Sequence, residues 1–348
     1  MCATRKQKDK VALIEFYPFH SELLYSQLLF LYKSDCTPIL ICNKNNGIDF
    51  ESIKSLATIK TYDFQKPYSL LKLWYFLLSS KINRVVFNTA QGPSVLKFSL
   101  LPFPKRIKFS GILHNTNKLN SSFGQKIISR RVKSYLVLAS YMKAYFPKKK
   151  GLSSIHINCA YTPSFNNSGI IKPEKEVWIG VPGSIEYKRR DYDFLLELVS
   201  ETSFPDNIKI VLLGNASKHE GPTFTNKIKE LGLEQKFIVF NNFVPDSQFQ
   251  SYMKTFDFLI PLIHPSTPSA NAYLKYKASG TFIQSSSYSK PMLCHKMFDS
   301  KLFDYAALFY STSAELIKIL KLNKKPSNKP APVFELDRTN YYNFVVNP

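Results

Sequence analysis

The segment WIGVPGSIEYKRRDYDFLLEL places Gly183 ahead of three consecutive cations, Lys188, Arg189 and Arg190, which lead into an apolar-periodic stretch. A glycine turn followed by cations and a helix start offers backbone N–H groups and positive side chains to the same anion, and a diphosphate suits both. An ordinary βα turn with a solvated basic cluster fits these residues equally well. Farther on, Ser279-Gly280-Thr281 precedes FIQSSSYSKP. Small residues there would leave helix N–H groups open to phosphate oxygens. N-capping by Ser or Thr explains the same residue types.

Charge is distributed unevenly around these clusters. From Phe64 to Pro173 the chain runs 110 residues with no Asp or Glu and with 18 Lys and Arg. A one-signed positive field of this kind calls for an anionic partner: nucleic acid, an anionic membrane surface or a phosphorylated substrate. Genome-wide lysine bias accounts for part of the Lys count but less well for the missing carboxylates. Aromatic and aliphatic residues interleave with the cations in LKFSLLPFPKRIK and YMKAYFPKKK. That mixture describes a peripheral membrane face, unless the aromatics are core and the cations merely solvated.

The elements that must position these residues are legible as alternating strands and helices. Strands are expected at Val11–Phe16, Ile39–Cys42, Arg84–Asn88, Ile107–Leu113 and Tyr135–Ala139, with amphipathic helices between them such as Glu22–Tyr32. This order reads as right-handed βαβ units on a parallel sheet. After a polar stretch the alternation restarts at Val177–Val181, Ile208–Leu213, Phe237–Phe240, Phe258–Ile263 and Pro291–Cys294. The expected architecture is α/β, two Rossmann-like doubly wound domains facing a cleft. Its segments are 1–165, a linker at 166–175, a second domain at 176–323, and a Pro-rich connector with a C-terminal segment at 324–348.

The order and spacing of VPGSIEYKRRDYDFLLEL, IVLLGNAS, FVPDSQFQSYMKTFDFLIPLI and SGTFIQSSSYSKPML are similar to the C-terminal domain of GT-B glycosyltransferases of the family-4-like kind. The resemblance covers about residues 177–295. In the first half it rests on the opening strand and on Leu113-His114-Asn115. It implies a transferase that moves a sugar from a nucleotide-sugar donor to a glycan or lipid-diphosphate-linked acceptor at the cytoplasmic membrane surface, without metal or cofactor. Gly183, Lys188, Arg189, Ser279, Gly280, Thr281 and Gln284 would bind the donor. His114 matches a histidine that approaches the donor sugar. The family's two glutamates fall on Tyr276 and Gln284, which leaves retention of the anomer open, and the arginine expected before Lys188 is missing. An inverting reaction needs a base from the first domain, where few acids remain. Glu22 stands out, with His20 beside it in YPFHSELL; stabilisation by a helix dipole is the alternative reason for an acid there.

The remaining signals exclude more than they assign. The five cysteines form no CxxC and no zinc spacing, and read as reduced thiols of a cytoplasmic protein. The most apolar run, YSLLKLWYFLLSS, is too short to span a bilayer, so membrane contact would be peripheral. No nucleic-acid docking motif appears. The other readings are a sugar-nucleotide epimerase of similar fold and a polyanion- or nucleic-acid-binding protein.

Overall fold

The computed structural model describes residues 9–18, 20–44, 50–163, 169–322, 326 and 333–348. Cys2, Asp49, residues 166–168 of the expected linker and most of the Pro-rich connector lie outside them. The chain divides into two compact units, Met1–Pro163 with Pro332–Pro348, and Ser164–Ala331.

The first unit is built on β1 (Lys10–Glu15), β2 (Thr37–Asn43), β3 (Thr58–Tyr62), β4 (Arg84–Phe87), β5 (Lys108–Ile112), β6 (Val132–Val137) and β7 (Ser153–His156). All pair in parallel, in the order β3-β2-β1-β4-β5-β6-β7. The interior strand β1 reads as a nearly continuous apolar run because both of its faces are covered. Leu13 sits opposite Leu40 on one side and Val86 on the other. The helix Phe334–Val346 also belongs to this unit. Its Tyr341 ring lies 5.5 Å from Phe30 of the helix Leu24–Lys33, so residues read from sequence as a separate segment close the first core.

The second unit repeats the plan with β8 (Val177–Pro182), β9 (Ile208–Asn215), β10 (Phe237–Phe240), β11 (Phe258–Leu259), β12 (Met292–His295) and β13 (Ala307–Tyr310), in the order β10-β9-β8-β11-β12-β13. The expected strand Phe258–Ile263 is cut to two paired residues. Pro261 has no N–H to give a ladder, and Leu262 turns into the left-handed region at φ 53°.

In each sheet the winding reverses at one place, between β1 and β4 and between β8 and β11. Ligand sites of open α/β sheets gather beyond the carboxyl ends of the strands at such switch points.

Candidate functional site

In the second unit β8 runs into Gly183, whose φ of +101° lies in the region open to glycine. Its N–H donates to the Leu213 carbonyl at 2.9 Å. A Cβ on Gly214 would overlap the Gly183 carbonyl oxygen, so two glycines let the turns after β8 and near the end of β9 touch. The Arg190 guanidinium lies against this turn. It donates to the Pro182 carbonyl and, at 3.5 Å, to Thr281 Oγ1. Ser279 caps the helix Gly280–Tyr288 by accepting from the Thr281 N–H at 3.3 Å. At Gly280 there is open space where a Cβ would stand. Glycine turn, guanidinium and helix N-terminus thus converge, which is the arrangement a phosphate group requires.

Among the expected donor residues, Gly183, Ser279, Gly280 and Thr281 meet here, and Lys188 and Arg189 do not. Arg189 is exposed and pairs with Glu186, Nε to Oε2 at 3.1 Å. Lys188 is exposed, and its carbonyl accepts from Ser269 Oγ at 2.8 Å. Arg190 takes the inner position because it directly precedes Asp191, the N-cap of the helix Tyr192–Ser200. A cation one residue before an Asp cap was the signal for it in the sequence. Gln284 stands one turn beyond Thr281, with its Oε1 buried and without a hydrogen-bond partner. Tyr276 ends the helix Ala270–Lys275.

Asp191 does more than cap. Its Oδ2 lies 3.1 Å from His264 Nδ1 and accepts from Ser266 Oγ at 2.8 Å, while His264 Nε2 is 2.8 Å from the Tyr310 hydroxyl. The hydrogen bond with His264 leads in holding the Asp191 carboxyl down at about 2. The loop after β11 is thereby tied to the entrance of the helix that follows Arg190.

In the first unit the carboxyl ends of β1, β4 and β5 bring together the three residues expected to be catalytic. His20 stacks on His114 with ring centroids 3.7 Å apart, and its Nδ1 lies 3.5 Å from Glu22 Oε1. His20 and Glu22 are part-exposed, at 36% and 41% of their side chains, whereas His114 is buried and donates from Nε2 to the Asn88 carbonyl at 2.9 Å. His20 holds a left-handed φ of 62°, uncommon for a residue with a Cβ. Asn88 Nδ2 donates to its carbonyl at 2.9 Å and so helps hold it there.

Behind this dyad lies a group that sequence reasoning passed over. Glu15, the last residue of β1, is buried and accepts from Asn88 Nδ2 at 2.6 Å, Thr89 Oγ1 at 2.7 Å and the Tyr17 N–H at 2.8 Å. Asn88 Oδ1 in turn accepts from Gln27 Nε2 at 2.6 Å, and Gln27 Oε1 accepts from the Tyr341 hydroxyl at 3.0 Å. Burial outweighs the three donors and raises the Glu15 carboxyl to about 7. Between about 4.5 and about 7 the folded unit therefore holds a proton that the unfolded chain has lost, and stability falls as pH rises through that window. His114 acts with the opposite sign: burial keeps its pKa well below the usual histidine range, so stability falls as pH drops below that range. The stability difference between the unaltered protein and Glu15→Gln isolates the carboxyl. Urea melts should show that difference moving by about 3 kcal/mol between pH 4.5 and 7; a constant difference would mean that Glu15 does not titrate there.

No protein-family model matches the chain, and no curated protein matches it. Solved structures do. HepE of Anabaena, crystallised with UDP and glucose, superposes with a TM-score of 0.61 at 12% identity, covering 97% of this chain and 95% of that one. The lipopolysaccharide outer core galactosyltransferase WaaB gives 0.58 at 13% over 97% and 99%. The UDP-GlcNAc 2-epimerase of Neisseria meningitidis, bound to UDP-GlcNAc, gives 0.57 at 14% over 97% and 100%. At such identities the likeness shows the fold: two parallel-sheet α/β domains of the GT-B type.

Proposed function

We propose that the chain is a glycosyltransferase that takes a sugar from a nucleotide-sugar donor, with uridine diphosphate as the first nucleotide to test, and passes it to a glycan or lipid-linked acceptor at the cytoplasmic membrane surface. The observation that carries this reading is the convergence of Gly183, Arg190 and the N-terminus of the helix Gly280–Tyr288. Arg190 and the helix N–H groups would neutralise the charge that develops on the departing diphosphate, work that needs no metal ion. Gln284 Oε1, buried and without a hydrogen-bond partner, is the acceptor that a nucleotide hydroxyl entering the site would satisfy. His20 would act as general base on the acceptor hydroxyl, oriented by Glu22 and backed by His114.

A nucleotide-sugar 2-epimerase is the second reading, because solved structures of that activity share the fold. One assay separates the two. With UDP-glucose and UDP-GlcNAc supplied in turn, a transferase releases UDP in proportion to added acceptor membranes or glycan. Conversion of UDP-GlcNAc to its 2-epimer without acceptor would replace the transferase reading by the epimerase one.

A further inference from the structure

We propose that one helix-covered face of the first unit docks on a bilayer carrying anionic phospholipid. The helices Tyr68–Ser79, Pro93–Ser99 and Phe123–Arg131 turn Leu73, Leu77, Val95, Phe98 and Ile128 into a single core cluster with Ala12, Ile14, Val85 and Phe87 of the sheet. They therefore cover the same side of that sheet, and their remaining faces look outward. On the first helix those outward positions are Tyr68, Leu71 and Tyr75, spaced i, i+3 and i+7 and 47%, 54% and 69% exposed. A surface helix ordinarily turns polar residues to water. Here it turns two tyrosines and a leucine outward, with Lys72 between them.

Neighbouring structure continues the pattern. The Trp74 indole N–H donates to the Pro102 carbonyl at 2.7 Å, and Arg106 donates to the Leu78 carbonyl at 3.3 Å. These bonds hold the 100–106 loop beside the helix. That loop presents Leu100 at 64% exposure, and the start of the helix Phe123–Arg131 presents Phe123 at 75%. Lys97, Lys105, Lys126 and Arg130 are exposed among them. At the β7 end, Phe146 and Leu152, packed on the same core cluster, line a groove of about 540 Å³ together with Lys143, Lys148 and Lys150.

The choice of occupant follows from charge and polarity together. The tract from 64 to 173 contains no carboxylate to repel a lipid phosphate. Each cation near an anionic leaflet adds attraction, and shallow insertion of Tyr, Leu and Phe removes their apolar surface from water. A nucleic acid would satisfy the cations and leave the protruding leucines and Tyr75 in water. The proposal extends the transferase reading by assigning the surface that meets the acceptor's membrane, and its test reads lipid binding rather than transfer.

The experiment is co-sedimentation of the full chain with phosphatidylcholine vesicles, with and without phosphatidylglycerol. Binding is expected only where phosphatidylglycerol is present, and it should weaken with added salt. Leu71→Glu with Tyr75→Glu should lower affinity at least about tenfold, and Lys72→Gln with Lys105→Gln and Lys126→Gln about a hundredfold. All five side chains are exposed, and unchanged melting temperatures would show that the variants fold. Absence of sedimentation, equal binding to both vesicle types, or variants that bind as the unaltered protein would overturn the proposal. So would tighter retention by transfer RNA that is indifferent to the Leu71 and Tyr75 changes.

Discussion

Arg190→Ala is expected to weaken UDP binding by about ten- to a hundredfold, while Arg189→Ala leaves it within about twofold. Hydrogen bonds from a charged donor contribute about 1.5–3 kcal/mol each when both partners lose water. Arg190 is the cation placed to make them, beside the Gly183 turn and within 3.5 Å of Thr281 on the capped helix. Arg189 is exposed and already paired with the half-buried Glu186 at i,i+3, where solvent screens its charge. Isothermal calorimetry on the two variants reads the contrast directly. Equal losses would mean that the basic cluster acts as a diffuse field, and an undiminished Arg190→Ala would remove the phosphate assignment.

His20→Ala should reduce turnover by about a hundredfold to ten-thousandfold while UDP affinity stays unchanged, the signature of a lost general base. His20 is held at three points: Glu22 at ring Nδ1, the His114 ring against its face, and the Asn88 amide on its backbone carbonyl. Glu22→Gln, which keeps a hydrogen-bond acceptor but removes the charge, should cost about tenfold. Turnover of His20→Ala within a few-fold of the unaltered protein would shift the base elsewhere. Glu15 is buried and its carboxylate already accepts from Asn88, Thr89 and the Tyr17 N–H, so it acts here as a positioning residue.

How far the residues themselves announced this arrangement depends on where they lie in the sheets. β1, β2, β8 and β9 are covered on both faces, and their apolar runs show it. The strands missing from the sequence reading are β3, β7 and β13, each at the edge of a sheet. Edge strands are half exposed, and TIKTY and SSIH carry polar residues that no run of hydrophobics marks. The candidate site divides the same way. Gly183 and Ser279–Thr281 sit at turns whose composition betrays them, and of the three adjacent cations only the place of Arg190 directly before the Asp191 cap marks it out. Glu15 was one acid among several, because the groups that define it, Asn88 and Thr89, lie 73 and 74 residues along the chain. Tyr341, which completes the chain of hydrogen bonds behind it, donates to Gln27 across 314 residues. Pairings of that span leave no local pattern.

The central claim, that the second unit binds a nucleoside diphosphate at Gly183, Arg190 and the helix Gly280–Tyr288, is tested most directly by calorimetric titration of the unaltered chain with UDP in chelator-treated buffer. The expected result is one saturable site per chain. A flat titration with UDP, repeated with GDP, dTDP and CMP, would contradict it.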